Sequence, residues 1–191
     1  LGVSYTYDAM NRLVRKNLPG GATVAYAYAA DGRRAGVTDA RGTTSFDYDG
    51  LGRLARVANP DGSSIAYVYD ANGNLASLAT PAATYGYAFD ALDRLVSVTA
   101  PEGVTALAYD LAGNRVRTTA ANGIVADATF DARNRPTLLS HKNAGGNTLA
   151  SYAATWSPAS RRTSITEHDG TVDSYAYDSH GRLVSESRTG T

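Results

Sequence analysis

The fold is decided by residues 46–54, which read Phe-Asp-Tyr-Asp-Gly-Leu-Gly-Arg-Leu and are followed by Asn-Pro-Asp-Gly at 59–62. Phe46 and Tyr48 are two positions apart, and this spacing places both side chains on one face of a β-strand. Asp49 can accept hydrogen bonds from backbone amides ahead of it, and Gly52 can adopt a positive φ. The stretch therefore predicts a β-hairpin whose first strand has an aromatic face.

The same pattern recurs along the whole chain. An aromatic residue, usually followed by Asp, returns at intervals of 21, 20, 21, 20, 20, 21, 26 and 21 residues. We call these nine residues the anchors: Tyr7, Tyr28, Tyr48, Tyr69, Phe89, Tyr109, Phe130, Trp156 and Tyr177. So short a period is typical of repeat architectures. We therefore predict an all-β fold in which residues 1–191 form a single array of about nine tandem β-hairpins, joined into a continuous antiparallel sheet.

A tight turn is predicted after each anchor. In the best copies Asp stands directly after the anchor and Gly three residues later: Asp49, Gly52, Asp70, Gly73, Asp110, Gly113, Asp178 and Gly181. Other copies replace this Gly with Asn11, Asp93, Asn134 or Ser160. Asn and Asp are the side chains that best tolerate a left-handed backbone, so the substitutions also indicate a turn with positive φ.

The return strand carries apolar residues three positions apart, such as Leu54 and Val57. An offset of three does not stay on one strand face, so we expect a β-bulge there. A second turn follows, written for example Pro60-Asp61-Gly62. In the interval of 26 residues, five extra residues predict a longer surface loop at 141–147.

The recurring Asp residues allow two interpretations. Paired carboxylates in a cleft can act as general acid and base, but a residue that appears once in each repeat is better explained as a turn cap, paired in some copies with Arg12, Arg53, Arg94, Arg135 or Arg182. His141, His168 and His180 fall in predicted loops or turns without the spacing of metal ligands. We therefore predict a protein that is not an enzyme, with no catalytic residues, cofactor or metal.

The rows of tyrosine also have two interpretations. They can form the core that each hairpin needs, or an exposed platform that stacks on sugar rings. The core interpretation is favoured, because little other apolar surface is available to bury. A cell-surface module that binds a glycan or a receptor stays open as the alternative function.

Composition and charge argue against nucleic acid as a partner and against several kinds of structural feature. Eighteen basic and eighteen acidic residues give a net charge of zero, which disfavours nucleic acid. No apolar stretch approaches the length of about 18 residues that a membrane span requires. The absence of Cys excludes disulfides and thiolate metal sites.

The motif at 46–54 with its second turn at 59–62 resembles the YD repeat of bacterial RHS proteins, which also occurs in toxin-complex shell proteins and teneurins. The likeness extends over essentially the whole chain. It implies a sheet that spirals into a hollow shell around a toxic C-terminal segment of the same polypeptide. By resemblance, we expect a secreted or cell-surface bacterial protein whose partners are further repeats and that toxin.

Two features depart from the family pattern. Nothing matches the closing segment associated with self-cleavage, and the copies after Phe130 are degenerate, with Pro136 in place of Leu and Ser157 in place of Asp. We expect the chain to be an excerpt from a longer shell. Its end strands, around residues 5–7 and 175–177, carry little charge or Pro, so we expect self-association through open sheet edges.

Overall fold

The computed structural model describes residues 2–190, which belong to two compact units, Leu1–Tyr87 and Ala88–Thr191. The predicted all-β class is confirmed, because the described residues form β-strands and no helix. Unit 1 contains β1 (Ser4–Tyr7), β2 (Leu13–Asn17), β3 (Thr23–Tyr28), β4 (Arg34–Asp39), β5 (Gly42–Tyr48), β6 (Leu54–Ala58), β7 (Ser64–Tyr69), β8 (Leu75–Ala79) and most of β9 (Thr84–Phe89). Unit 2 contains β10 (Leu95–Ala100), β11 (Gly103–Tyr109), β12 (Arg115–Thr119), β13 (Val125–Phe130), β14 (Pro136–Lys142), β15 (Thr148–Trp156), β16 (Arg162–Glu167), β17 (Val172–Tyr177) and β18 (Leu183–Thr189).

Each strand pairs antiparallel with its neighbours in sequence. This holds from β1 to β9 in unit 1 and from β10 to β18 in unit 2. One kind of turn, the anchor turn, joins the two strands of a repeat, and the second turn leads to the next repeat. Anchor turns and second turns therefore lie at opposite ends of the strands.

The expected bulge lies opposite the anchor. In the third repeat Asp47 faces Arg56 while Tyr48 faces Leu54, so Ala55 is the extra residue on the return strand. The pairing then places Val57 opposite Phe46. With one bulged residue between them, Leu54 and Val57 share the face of the aromatic pair. The bulge thus explains the offset of three.

The apolar face is half-buried rather than enclosed. Within each unit the backbone of a described strand packs only against strands that are adjacent in sequence, so each unit is a single layer. Among residues 2–190 no apolar side chain is fully buried, and the few buried residues are Gly36, Ser140 and Thr171. Most anchors are half-buried, whereas Tyr7 on β1 is 57% exposed. The tyrosine rows therefore pack along the sheet surface and do not form the closed core that the sequence suggested.

The extra residues of the seventh repeat lie in strands, which corrects the loop expected at 141–147. His141 and Lys142 belong to β14 and pair with Ala126 and Val125 of β13. Only residues 143–147 form a turn, with the same two backbone hydrogen bonds as the second turn at 59–63. Pairing satisfies the backbone amides of the added residues, which a longer loop would leave to water.

The outer strands also differ from expectation. β17, which contains residues 175–177, pairs with both β16 and β18 and is not an edge strand. The outer strand of unit 2 is β18, and Glu186 and Arg188 give it the charge that commonly protects such strands. In unit 1 the outer strand is β1, as expected.

Candidate functional site

The anchor turns share one geometry in all nine repeats. In the third repeat the N–H of Asp49 donates to the carbonyl of Arg53 at 2.9 Å, and the N–H of Gly52 donates to the carbonyl of Asp49 at 2.9 Å. Gly52 has a φ of 82°. At the equivalent position Asn11, Asp93, Asn134 and Ser160 have φ values of 57° to 59°, which confirms the predicted left-handed conformation.

The carboxylate after the anchor caps this turn. One oxygen of Asp49 accepts hydrogen bonds from the backbone N–H groups of Leu51 and Arg53, each at 2.9 Å. The other oxygen accepts from Nε of Arg53 at 2.7 Å. These hydrogen bonds favour the ionised carboxylate, and the bond from the backbone N–H of Arg53 has the largest effect. The pKa of Asp49 therefore lies below its usual value. The carboxylate is thus fully engaged inside its own turn.

The same pairing of Asp with the residue four positions later occurs in other repeats. Arg12, Arg94, Arg135 and Arg182 bind Asp8, Asp90, Asp131 and Asp178, and Asn74 and Asn114 bind Asp70 and Asp110. The side-chain hydrogen bond from Arg135 is the main cause that lowers the pKa of Asp131 to about 2. Repeats two and eight have Ala29 and Ser157 at this position and lack the carboxylate.

Six turn arginines also reach the following repeat. The guanidinium of Arg53 lies over the ring of Tyr69, 4.5 Å from its centroid, and its Nη1 donates to the carbonyl of Asp70 at 3.3 Å. A cation over an aromatic face is attracted by the negative charge density of the ring. Five other pairs have this arrangement: Arg12 with Tyr28, Arg33 with Tyr48, Arg94 with Tyr109, Arg135 with Trp156, and Arg161 with Tyr177.

The anchor itself donates a hydrogen bond back to the preceding repeat. The hydroxyl of Tyr69 donates to the carbonyl of Leu54 at 3.0 Å. Four other anchors do the same to the first residue of the preceding return strand: Tyr28, Tyr48, Tyr109 and, through its indole N–H, Trp156. Where both contacts occur, an anchor is joined to the preceding repeat by its face and by its polar tip. We call this combination the clamp.

Most of the predicted site residues therefore meet at the joints between repeats. Asp49, Gly52, Asp70 and Gly73 lie in anchor turns, and Tyr48 and Tyr69 end the strands that lead into those turns. Asp110, Gly113, Asp178 and Gly181 have equivalent positions in unit 2. One ring face of six anchors is covered by a guanidinium, which disfavours the glycan platform. The carboxylates are spread one to a turn and do not form the asymmetric cluster of different groups that catalysis needs.

The reach of the turn arginine into the next repeat was missed by the sequence reasoning. A signal for it exists, however. Wherever the fifth residue after an anchor is Arg, the next anchor is Tyr or Trp, and where that residue is Asn, as at Asn74 and Asn114, the next anchor is Phe. This correlation connects residues 15 to 21 positions apart and indicates contact between them.

The histidines do not come together. His141 lies in β14, whereas His168 and His180 lie in separate turns, and the backbone N–H of His180 donates to Asp178. Within residues 2–190 no group of three His, Asp or Glu side chains is arranged to hold a metal ion. The described chain also contains no helix able to cross a membrane.

Comparison with known proteins connects this geometry to a family. A model of the RHS repeat matches residues 48–85, 69–105, 89–125 and 156–191, which together cover more than half of the chain. A crystal structure of TcdB2-TccC3-TEV is similar, with a TM-score of 0.62 and 13% identity over 96% of this chain and 13% of that chain. A Photorhabdus luminescens Tc holotoxin pore with a TccC3 variant has a TM-score of 0.54 and 14% identity, with the same coverage. Comparison with curated proteins gives no match. At these identities the structural likeness shows the fold alone, and this chain spans only 13% of those chains.

Proposed function

This chain belongs to the RHS repeat family, and from that premise we propose that it forms a length of wall around a toxic effector segment, C-terminal to the array in the same polypeptide. The role of the chain is structural. The named anchors and turn residues hold neighbouring repeats together, and any catalytic activity belongs to the enclosed segment. Further repeats of the parent chain and that segment are the proposed partners.

One observation carries this proposal. The carboxylate, guanidinium and aromatic ring that recur in the repeats are used at most joints to hold one repeat to the next, as at Asp49, Arg53 and Tyr69. A unit that bonds only to its two neighbours can be repeated to any length, which suits a wall. The half-buried apolar face supports the proposal too, because a single-layer sheet gains stability when another part of the polypeptide covers that face.

A protease-protection experiment on the complete parent chain tests this function. We expect the segment C-terminal to the array to resist a protease while the wall is intact. Changing Arg12, Arg53 and Arg94 to Ala should expose it, because each change removes a clamp. The matched control changes Arg41, Arg15 and Arg56 to Ala, since these arginines make no clamp. Equal digestion of that segment in the parent and both variants, or a parent chain without such a segment, would contradict enclosure.

The compartment is part of the proposal. A toxin that acts on other cells must leave the cell that makes it, so we propose that the parent protein is exported from a bacterium and is secreted or displayed on the cell surface. Detection of the protein in culture supernatant or on intact cells tests this, and confinement to the cytosol would contradict it.

We also propose that the isolated chain of 191 residues self-associates through β1. Among the described strands of unit 1 it pairs with β2 alone, and its Tyr5 and Tyr7 are 52% and 57% exposed. Free N–H and C=O groups on such an edge recruit other chains. Light scattering over a concentration series should show an increasing average mass, and Thr6→Pro should reduce it. A concentration-independent monomer would rule out this contact.

A further inference from the structure

Both components of the clamp are missing from one joint in unit 2, whereas the joint between the eighth and ninth repeats keeps the ring contact of Arg161 with Tyr177. Between the sixth and seventh repeats the turn residue is Asn114 and the following anchor is Phe130. Nδ2 of Asn114 donates to Asp110 at 2.9 Å and to Oδ1 of Asn134 at 2.9 Å. A neutral amide supplies no cation for the ring, and Phe130 has no polar hydrogen to donate to the preceding repeat. Both components of the clamp are therefore missing together.

The backbone pairing at this joint is also short. β12 and β13 are matched over three residue pairs, from Arg117 opposite Asp127 to Thr119 opposite Val125. β16 and β17 are also matched over three pairs, but there Arg161 and Arg162 lie over the rings of Tyr177 and Tyr175. β14 and β15 are matched over five pairs. That neighbouring joint also has a clamp, in which Arg135 lies over Trp156 and the indole N–H donates to the carbonyl of Pro136 at 2.8 Å.

An exposed ion pair is the other side-chain link between β12 and β13. Nε of Arg117 lies 2.6 Å from a carboxylate oxygen of Asp127, and the Arg117 side chain is 58% exposed. Lys142, from β14, lies 3.6 Å from the same carboxylate. Exposed ion pairs contribute little to stability and are screened by salt. This link therefore does not replace the clamp.

The strands on either side of this joint are paired more extensively. β11 and β12 are matched over four residue pairs, and β13 and β14 over six. Each of these pairs is also closed by an anchor turn. Separation of β12 from β13 therefore leaves both hairpins intact and breaks fewer contacts than separation of β14 from β15.

We propose that the joint between β12 and β13 is a built-in seam, the place in unit 2 where neighbouring repeats separate first. Two positions set the place of the seam: the fifth residue after an anchor and the next anchor. Arg with Tyr or Trp at these positions closes a joint, and Asn with Phe leaves it able to open.

Amide hydrogen exchange on the full chain tests the seam without any mutation. Amides that bond β12 to β13 should exchange on the order of tenfold faster than those that bond β14 to β15, because the clamp and two residue pairs are missing. Added salt should widen the difference by weakening the link between Arg117 and Asp127. Equal protection at the two joints would overturn the proposal.

A pair of complementary variants tests the cause. Asn114→Arg combined with Phe130→Tyr should slow exchange between β12 and β13 on the order of tenfold, and each single change, which restores one component of the clamp, should give a smaller effect. In the matched control, Arg135→Asn with Trp156→Phe should speed exchange between β14 and β15. Amides between β10 and β11, which keep the clamp of Arg94 and Tyr109, serve as the internal reference in both variants. If the double change at Asn114 and Phe130 leaves exchange unaltered in a folded protein, the pairing of residue types does not set the seam.

Discussion

The anchor turns and the second turns lie at opposite ends of the same strands and differ in how uniform they are. All nine anchor turns have the same pair of backbone hydrogen bonds. Second turns are of two kinds. Five, including the turn at 59–63, share one pair of backbone hydrogen bonds, and three are tighter, at 39–42, 80–83 and 100–103. Within residues 2–190, the arginines that lie over anchor rings of the following repeat all come from anchor turns and none from second turns.

The difference teaches what keeps a turn uniform in a repeat array. An anchor turn must close its own hairpin and also aim Arg53, for example, at Tyr69 and Asp70 of the next repeat. A second turn must only reverse the chain and avoid its neighbour, as where a Cβ on Gly42 would lie 2.7 Å from Pro60. Directional contacts to the next repeat therefore constrain geometry more than reversal of the chain does.

The largest effect is expected from valine at the left-handed position of an anchor turn. Gly52→Val should lower the free energy of unfolding by about 3 kcal/mol, from backbone strain and from displacement of Arg33, whose Cζ would lie 2.6 Å from the new Cβ. Gly62→Val, in a second turn with a φ of 84° and no atom within 4 Å, should cost about 2 kcal/mol from strain alone. Urea denaturation measures both, and equal losses would mean that the contact with Arg33 contributes nothing.

A smaller effect is expected from removing one arginine at each end of the strands. Arg53→Ala should lower stability by about 1–2 kcal/mol, because the half-buried guanidinium leaves the ring of Tyr69 and the carbonyl of Asp70. Arg41→Ala, in a second turn, removes an ion pair with Asp39 whose arginine side chain is 85% exposed. Its thermal midpoint should not change measurably. Similar shifts for both variants would end the distinction between the two kinds of turn.

Tyr69→Phe separates the polar tip of an anchor from its ring. Loss of the hydrogen bond to the carbonyl of Leu54 should cost about 1 kcal/mol while the contact with Arg53 is kept. Tyr67→Phe is the control, because it removes a hydroxyl from the same strand without removing any of the contacts described for the clamp. Chemical denaturation of the two variants gives the comparison. No difference between them would show that the ring alone makes the joint.

The smallest effect is expected in acid. The pKa of Asp131 is lowered to about 2 from an ordinary value of 3.8, mainly by the side-chain hydrogen bond from Arg135. Because the folded pKa is the lower one, its contribution is present above about pH 4 and is lost as the pH falls toward about 2. Asp131→Asn should therefore make stability less dependent on pH between these values, measured by thermal melts at several pH values.

The control for the acid experiment lies in a second turn. Asp61 also has a lowered pKa, but its main partner is the hydroxyl of Ser63 and no cation. Asp61→Asn should alter the pH dependence less than Asp131→Asn. An equal or larger change would show that the ion pair with Arg135 is not what distinguishes the anchor turns.

Local features of the fold could be read from the sequence because each is set by a few neighbouring residues. The spacing of Phe46 and Tyr48 predicted the strand, Asn11 and Asp93 predicted positive φ, and the offset between Leu54 and Val57 predicted the bulge. Even a degenerate copy keeps this local structure: the turn at Ser157 and Ser160 has the usual backbone hydrogen bonds although Ser157 replaces the capping Asp.

Features that join repeats were harder to read. Arg53 has a partner four residues away, Asp49, and that local pairing concealed its contact with Tyr69 sixteen residues later. The composition of the added residues in the seventh repeat suggested a loop. Their structure is decided instead by pairing with β13, which composition does not reveal. Enclosure of a toxin, export and the single array over 1–191 remain proposals, since they concern relationships beyond the individual repeat.

The longer strands of the seventh repeat have a consequence for design. Relative to the sixth repeat, β14 begins at the same distance from its anchor and ends two residues later, and β15 begins three residues earlier than β13 does. A register shift between His141 and Lys142 absorbs the odd residue, so side chains keep their faces. At about 3.3 Å for each residue, the strip becomes roughly 7 Å wider at this point. The width of the strip can thus be changed in a single repeat by inserting an odd or an even number of residues at its second turn, while the end with the anchor turns stays unchanged.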